Sequence, residues 1–216
     1  ASVVLARVER LGAAAREVID LASLAPDGLE ISAAVAVLGE DRVRSGSNEA
    51  WAHDVLDIRD GRLVFRHELA REAVAEALPP ATAQRLHRRL VAVFEEDAAT
   101  PALARLVHHS VGAADSRRVR HYALQAGRSA YDRGANLVAI SHARTILELG
   151  VELTPLENAQ ARELLADAQT WVVPQSDNLT ARLEAASAWA AVGDRAQQAR
   201  QLIMTASSHH HLGDVP

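Results

Sequence analysis

Residues 61–94 read GRLVFRHELAREAVAEALPPATAQRLHRRLVAVF, and this stretch decides the fold of the chain. The apolar run 63–65 predicts a short strand that passes directly into a helix, with Arg66 and His67 at the junction. Pro79-Pro80 ends that helix and a second amphipathic helix follows. Cationic side chains at a helix start oppose the helix dipole, whereas an anion such as phosphate is stabilised there. The stretch therefore predicts a binding feature and not a catalytic one.

The composition predicts an all-α protein. The 216 residues include 44 Ala and 23 Arg with no Lys, and Ala and Arg are strong helix formers. Aromatic residues make up only 3%, so we expect a core of Ala, Leu and Val. The absence of Cys excludes a disulfide scaffold and fits a cytoplasmic protein. No apolar run approaches the ~20 residues that span a bilayer, and the net charge of −5 disfavours general nucleic-acid binding.

The first part of the chain has the element order of a winged helix. Predicted helices cover 13–24, 29–38 and 40–54. A two-stranded hairpin then runs through 56–58 and 63–65, with Asp60-Gly61 as its turn. We therefore predict a mainly α fold, with a winged-helix-like domain over 1–80. Its presumed reading segment, 40–60, is net acidic, so we expect no direct contact with DNA.

The remainder of the chain is predicted to be helical throughout. Predicted helices cover 67–78, 82–97, 101–112, 116–133, 136–149, 156–171, 178–192 and 195–211. We interpret 81–216 as an α-solenoid of degenerate, tetratricopeptide-like helical hairpins. Because Met204 is the only Met and the chain stops just after a turn at Gly213-Asp214, we expect a piece of a longer polypeptide whose helical repeats are truncated at the C-terminal end.

One pair of helices, residues 126–149, resembles a tetratricopeptide repeat. Small or packing residues stand where two antiparallel helices must approach closely, and a glycine stands at the turn between them: Gly127, Ala130, Gly134, Ala139, Ala143 and Ile146. The Gly-Asp turns further on are spaced more closely than the ~34-residue period of that repeat. For this reason we describe the repeats as degenerate.

Catalytic motifs are missing from the sequence, so we expect no enzymatic activity. There is no Gly-x-Ser-x-Gly, and without Lys the chain cannot complete a Walker-type ATPase loop. His108 and His109 are sequence neighbours that should not share a helix face. The terminal run 209–211 has few carboxylates nearby, and the segment 87–89 is predicted to be a solvated basic face. We therefore predict no metal site.

Arg66 and His67 remain the candidate site, with two interpretations. In the first, the pair contacts a nucleotide phosphate held by a neighbouring domain. In the second, His67 caps or packs locally while Arg66 pairs with Glu68 or Glu72. The local pattern alone leaves both open.

The order of elements resembles the middle region of the large ATP-dependent LuxR-family transcriptional regulators, which are signal-transduction NTPases. Four stretches and the repeat carry the resemblance: Leu11–Ala22, Phe65–Ala73, Arg85-Leu86-His87, Leu106–His109 and Ala126–Leu149. It covers residues 5–150 well and the remainder loosely. The Phe-Arg-His…Arg-Glu-Ala run is fairly specific, whereas the repeats are generic.

The resemblance implies a regulatory segment between an ATPase domain upstream and a DNA-reading domain downstream. Arg66 and His67 would approach the nucleotide of the ATPase, with His67 as the phosphate contact. ATP or ADP would bind to the parent protein and not to this chain, and an inducer or partner protein would bind the helical repeats. The alternatives are a stand-alone adaptor and the same module in a cyclase- or kinase-linked signalling ATPase.

Overall fold

A computed structural model of the chain describes residues 2–96, 103–148 and 153–211. In that part the chain is mainly helical with one small three-stranded sheet, so the predicted mainly helical class is confirmed. The chain consists of two compact units, Ala1–Ala114 and Asp115–Pro216. The predicted boundary after residue 80 falls inside the first unit, because the helix that begins at Pro80 packs on earlier elements of that unit.

The first unit has seven helices and three strands within its described residues. They are α1 Ser2–Glu9, α2 Ala13–Ser23, β1 Leu29–Glu30, α3 Ile31–Leu38, α4 Glu40–Ala52, β2 Leu56–Arg59, β3 Arg62–Phe65, α5 Glu68–Ala77, α6 Pro80–Glu96 and α7 Leu103–Gly112. The predicted helix over 29–38 is wrong at its start, because Leu29 and Glu30 pair as a strand with β3. The predicted two-stranded hairpin is therefore part of a three-stranded antiparallel sheet in the order β1-β3-β2.

The turn between β2 and β3 follows directly from the sequence. Asp60 and Gly61 have φ values of 49° and 73°. Positive φ at both central residues is what a two-residue type I′ turn requires, and Asp-Gly is a preferred pair for it. The turn sets the register that pairs Arg59 with Arg62. In that register, Leu56 and Leu63 are each only 1% exposed and face the core.

The helix α2 forms the centre of the first unit. Its predicted stripe of apolar residues is confirmed, since Ala15, Val18, Ile19 and Ala22 are all at most 1% exposed. Helices α3, α4 and α5 all pack against it. This packing leaves the junction between β3 and α5 at the surface of the unit.

The second unit consists of five helices in its described residues. They are α8 Ser116–Asp132, α9 Asn136–Glu148, α10 Pro155–Gln169, α11 Gln175–Val192 and α12 Arg195–His211. Each helix packs on the next one along the chain, as helical hairpins do. The turn at Gly213-Asp214 lies outside the described residues.

The small residues predicted for the repeat lie at the helix contacts of the second unit. Ala130, Ala139 and Ala143 are at most 1% exposed. A Cβ on Gly127 would lie 2.5 Å from Leu164 Cδ2, so a larger residue would force the buried Leu164 side chain to shift where α8 approaches α10. Gly134 has a φ of 74° and makes the turn between α8 and α9, which confirms its predicted place.

Among the described residues, no helix combines the length and the apolar character needed to cross a membrane.

Candidate functional site

Arg66 forms an ion pair that the sequence did not predict. Its guanidinium lies 2.8 Å from the carboxylate of Asp54, and not against Glu68 or Glu72. Asp54 follows α4 and has a φ of 59°, a left-handed conformation that Asp tolerates better than most residues. The Arg66 backbone N–H donates to Val55 O at 3.2 Å, which extends the pairing of β2 with β3 beyond Leu56 and Phe65. The alternative in which Arg66 pairs with Glu68 or Glu72 is thus wrong.

His67 occupies the N-cap position of α5 with its side chain exposed. Its backbone is extended, with φ −136° and ψ 126°, and its ring makes no capping hydrogen bond. The His67 carbonyl instead accepts from the backbone N–H groups of Ala70 and Arg71 at 3.0 and 3.2 Å. The interpretation of His67 as a local cap is therefore wrong, and the residue is exposed.

Both arginines beside this helix start have a carboxylate partner. Arg71 lies 2.6 Å from the Glu68 carboxylate, and this hydrogen bond lowers the pKa of Glu68. Arg71 also donates to Ser23 O at 2.7 Å, so it is held against α2. Glu68 is thus engaged by Arg71 and does not pair with Arg66.

Large apolar side chains are also exposed on the first unit, next in sequence to the Arg66–Asp54 pair. Leu69 in the first turn of α5 is 79% exposed, and Trp51 in the last turn of α4 is 56% exposed. Exposed apolar side chains next to polar groups are typical of surfaces that contact another protein. We define Trp51, Asp54, Arg66, His67 and Leu69 as the junction surface.

A second group of polar side chains joins α6 to α7 inside the first unit. His87 and His109 are buried, at 7% and 1% exposure. Their Nδ1 atoms lie 2.9 Å apart, so one ring donates a hydrogen bond to the other. The ring of His108 lies 4.9 Å from that of His109, although the two residues are sequence neighbours. We call these three residues the histidine cluster.

Burial controls the protonation of the two inner rings. Desolvation is the main cause that lowers the pKa of His109 to about 2, and the neighbouring His108, His87 and Arg105 lower it further. Desolvation, followed by the effect of His108, lowers the pKa of His87 to about 4. Both rings are therefore neutral at pH 7.

The surroundings of the histidine cluster explain its burial. Phe94 stacks on His109 with ring centroids 5.5 Å apart. A Cβ on Gly112 would lie 2.3 Å from His87 Nε2, so glycine lets α7 approach the His87 ring. The prediction of a solvated face is therefore wrong for His87. The helical spacing of His87, Val91 and Phe94 was the sequence signal for its burial.

The second unit holds a buried polar network that the sequence did not indicate. Glu163 and Asp167 of α10, Arg182 of α11 and Gln201 of α12 are all at most 7% exposed. Arg182 contacts the Asp167 carboxylate and donates to Gln201 Oε1 at 2.8 Å. Charged residues on a helix normally predict a solvated face, so no pattern within one helix could reveal this network. Its groups satisfy one another across three helices and hold the unit together.

The mainly helical fold is similar to that of a solved protein that has a tetratricopeptide repeat sensor. The structure is similar to a signal transduction ATPase with numerous domains from Pyrococcus horikoshii that has a tetratricopeptide repeat sensor, with a TM-score of 0.55 and 14% identity. The similarity covers 96% of this chain and 33% of that protein, so this chain spans about a third of its length. The sequence matches no protein-family model and no curated protein.

Proposed function

We propose that this chain is a non-catalytic regulatory segment of a signal-transduction ATPase of the LuxR-type transcriptional regulators, and that it works in the cytoplasm. In this proposal the first unit contains a winged helix, within residues 1–80, that packs on an ATPase domain and senses its nucleotide. The second unit presents helical repeats to an inducer or partner protein. The segment itself contacts neither DNA nor membrane and makes or breaks no covalent bond.

One observation carries the proposal. The similarity to a signal-transduction ATPase with a tetratricopeptide sensor extends over 96% of the chain and so includes both units. The element order α2-β1-α3-α4-β2-β3 of the first unit supports the winged-helix assignment, since three helices and a hairpin occur in the order that this fold requires.

The junction surface supports a role for Arg66 and His67 in sensing phosphate. The His67 ring is exposed at the start of α5 and caps nothing. The first N–H groups of a helix and its dipole both favour an anion at that end. Asp54 holds Arg66 beside the same helix start, at 2.8 Å. Nucleotide exchange in the ATPase domain would then shift an equilibrium between two arrangements of the parent protein.

Exposed apolar side chains on the second unit support partner binding by the repeats. Leu137 on α9 is 70% exposed, and Trp171 after α10 is 74% exposed. Aromatic side chains such as Trp are enriched where proteins contact one another.

The proposal is tested by the affinity of the parent polypeptide for ADP and ATP. We expect His67→Ala to weaken binding of one nucleotide roughly 10- to 100-fold, because a hydrogen bond to a charged group contributes about 1.5–3 kcal/mol. Arg59→Ala is the matched control, since Arg59 is an exposed arginine of the same hairpin whose partner is Asp57, 3.3 Å away.

Equal affinities of the wild-type, His67→Ala and Arg66→Ala proteins would refute the phosphate contact. A parent polypeptide that binds no nucleotide at all would favour the alternative of a stand-alone protein-interaction adaptor. A cyclase or kinase domain in place of a DNA-binding domain would keep the sensor function and change only its output.

A further inference from the structure

We propose that the histidine cluster binds one divalent transition-metal ion, with zinc as the ion that this ligand set suits. His87 of α6 and His108 and His109 of α7 each offer a ring nitrogen, and the three nitrogens all lie within 4.8 Å of one another. Imidazole is a preferred ligand of zinc, copper and nickel. The site is separate from Arg66 and His67 and does not depend on the proposed nucleotide response.

One separation between the nitrogen atoms is already close to that of a tetrahedral site, and the others lie within 4.8 Å, so side-chain rotation would have to close the remainder. Zn–N bonds of ~2.0–2.1 Å place two ligand nitrogens about 3.3 Å apart in tetrahedral geometry. The Nδ1 atoms of His87 and His109 are already 2.9 Å apart. An ion between them would replace the shared hydrogen bond, and the donor ring would carry its proton on Nε2 instead.

His108 has the hydrogen bond that commonly orients a metal-ligating histidine. Its Nε2 lies 2.9 Å from the backbone carbonyl oxygen of Leu24. Because a carbonyl oxygen only accepts, Nε2 must carry the hydrogen, and in the neutral ring Nδ1 is then left with its lone pair. Bonds of this kind to a backbone carbonyl fix the tautomer and the ring orientation of zinc ligands.

The charges around the cluster are compatible with a cation. The rings of His87 and His109 are buried, and the neutral imidazole is the form that binds metal. Arg105 is the nearby positive charge, and its guanidinium lies 2.7 Å from the Glu30 carboxylate and 4.9 Å from the centre of the Phe94 ring. The same carboxylate also pairs with Arg62 at 3.2 Å, so it offsets only part of the repulsion that the Arg105 guanidinium would exert on an ion.

An ion can reach the cluster from the surface. His108 is exposed, and it lines both a cavity of about 130 Å³ beside Asp27 and a cavity of about 460 Å³ beside Glu76. Three protein ligands leave a fourth position, which water would fill from these cavities. Metal binding would then fasten α6 to α7.

Zinc affinity of the full chain tests the proposal. His209, His210 and His211 are first replaced by serine, because a run of histidines binds metal ions on its own. The metal-free protein then competes for Zn²⁺ with a chromophoric chelator. We expect one equivalent of bound zinc, and His108→Gln should weaken its binding by at least ~100-fold, since even partners of zinc ligands contribute 10–100-fold. His53→Gln is the control, because His53 is an exposed histidine of the same unit.

The variant His108→Gln should fold normally because this side chain is exposed. Its zinc affinity therefore tests the proposal even if His109→Gln unfolds. When Co²⁺ is added, visible absorption bands of a tetrahedral site should appear in the serine-substituted chain. They should be absent when that chain also carries His108→Gln. No bound zinc in the serine-substituted chain would overturn the proposal. Equal affinities of this chain and its His108→Gln variant would overturn it as well, and the cluster would then be a hydrogen-bonded packing group.

Discussion

Replacing Arg182 with leucine should destabilise the second unit by about 3–5 kcal/mol, because a buried carboxylate then loses its main partner. The side chains of Arg182 and Asp167 are 3% and 9% exposed, and they are in direct contact. Arg182 also donates to Gln201 Oε1 at 2.8 Å and to Thr170 Oγ1 at 2.7 Å. Arg200 lies 3.8 Å from Asp167 but is 54% exposed, so it offsets only a small part of the loss.

Hydrogen exchange followed by mass spectrometry is the suitable assay, because it measures the free energy of opening of each helix separately. A chain with two compact units need not unfold in one step, so a single midpoint would be ambiguous. The matched control is Arg162→Leu. Its ion pair with Glu184 also joins α10 to α11, but these side chains are 31% and 51% exposed. We expect this control to lower the free energy of opening by at most about 1 kcal/mol.

The double variant Arg182→Leu/Asp167→Leu separates the loss of an ion pair from the penalty of an unpaired charge. Removing both charges should leave α10–α12 more stable than Arg182→Leu alone, because no buried charge then lacks a partner. The reasoning is refuted if Arg182→Leu and Arg162→Leu have equal effects. It is refuted as well if removing Asp167 brings no recovery in the Arg182→Leu protein.

Three further changes test other parts of the structure. Gly127→Ala should lower the stability of the second unit by about 1–3 kcal/mol in urea unfolding, because the added Cβ would lie 2.5 Å from Leu164 Cδ2. Thr154→Ala should weaken protection at the start of α10 by roughly 1 kcal/mol, since it removes a capping box with Glu157. The pKa of His109 is lowered to about 2, so with a metal chelator present acid should destabilise α6 and α7. Below pH ~6.5 this histidine binds a proton in the unfolded state but stays neutral in the folded state. The free energy of unfolding therefore falls by up to ~1.4 kcal/mol for each pH unit of acidification. We expect His109→Gln to reduce this dependence on pH.

The element types could be predicted from the sequence wherever the pattern is local. The spacing of apolar residues in α2 and the small residues of α8 and α9 all correspond to buried positions. Asp60-Gly61 predicts its turn because few residue pairs accept positive φ twice. The strand β1 was missed, because a run of two residues has no periodicity and forms only by pairing with β3.

The junction surface and the histidine cluster are formed by residues that are far apart in the sequence, so their contacts could not be predicted from local patterns. Arg66 and His67 could be singled out from the sequence, but the partner of Arg66 is Asp54, which follows α4. Neighbouring histidines on one helix do not predict a cluster. It arises because His87 of α6 lies against α7, where Gly112 leaves room for its ring. The similarity to a solved structure extends over both units and concerns their fold.

Hydrogen exchange of residues 62–77 in the parent polypeptide, compared between its ADP and ATP forms, tests the proposed nucleotide sensor most directly. The proposal predicts that the backbone amides of His67, Glu68 and Leu69 are protected to different extents in the two forms, because the phosphate contact lies at this helix start. It also predicts that His67→Ala removes the difference. Identical exchange in both nucleotide forms, while the ATPase domain is shown to bind each nucleotide, would contradict it.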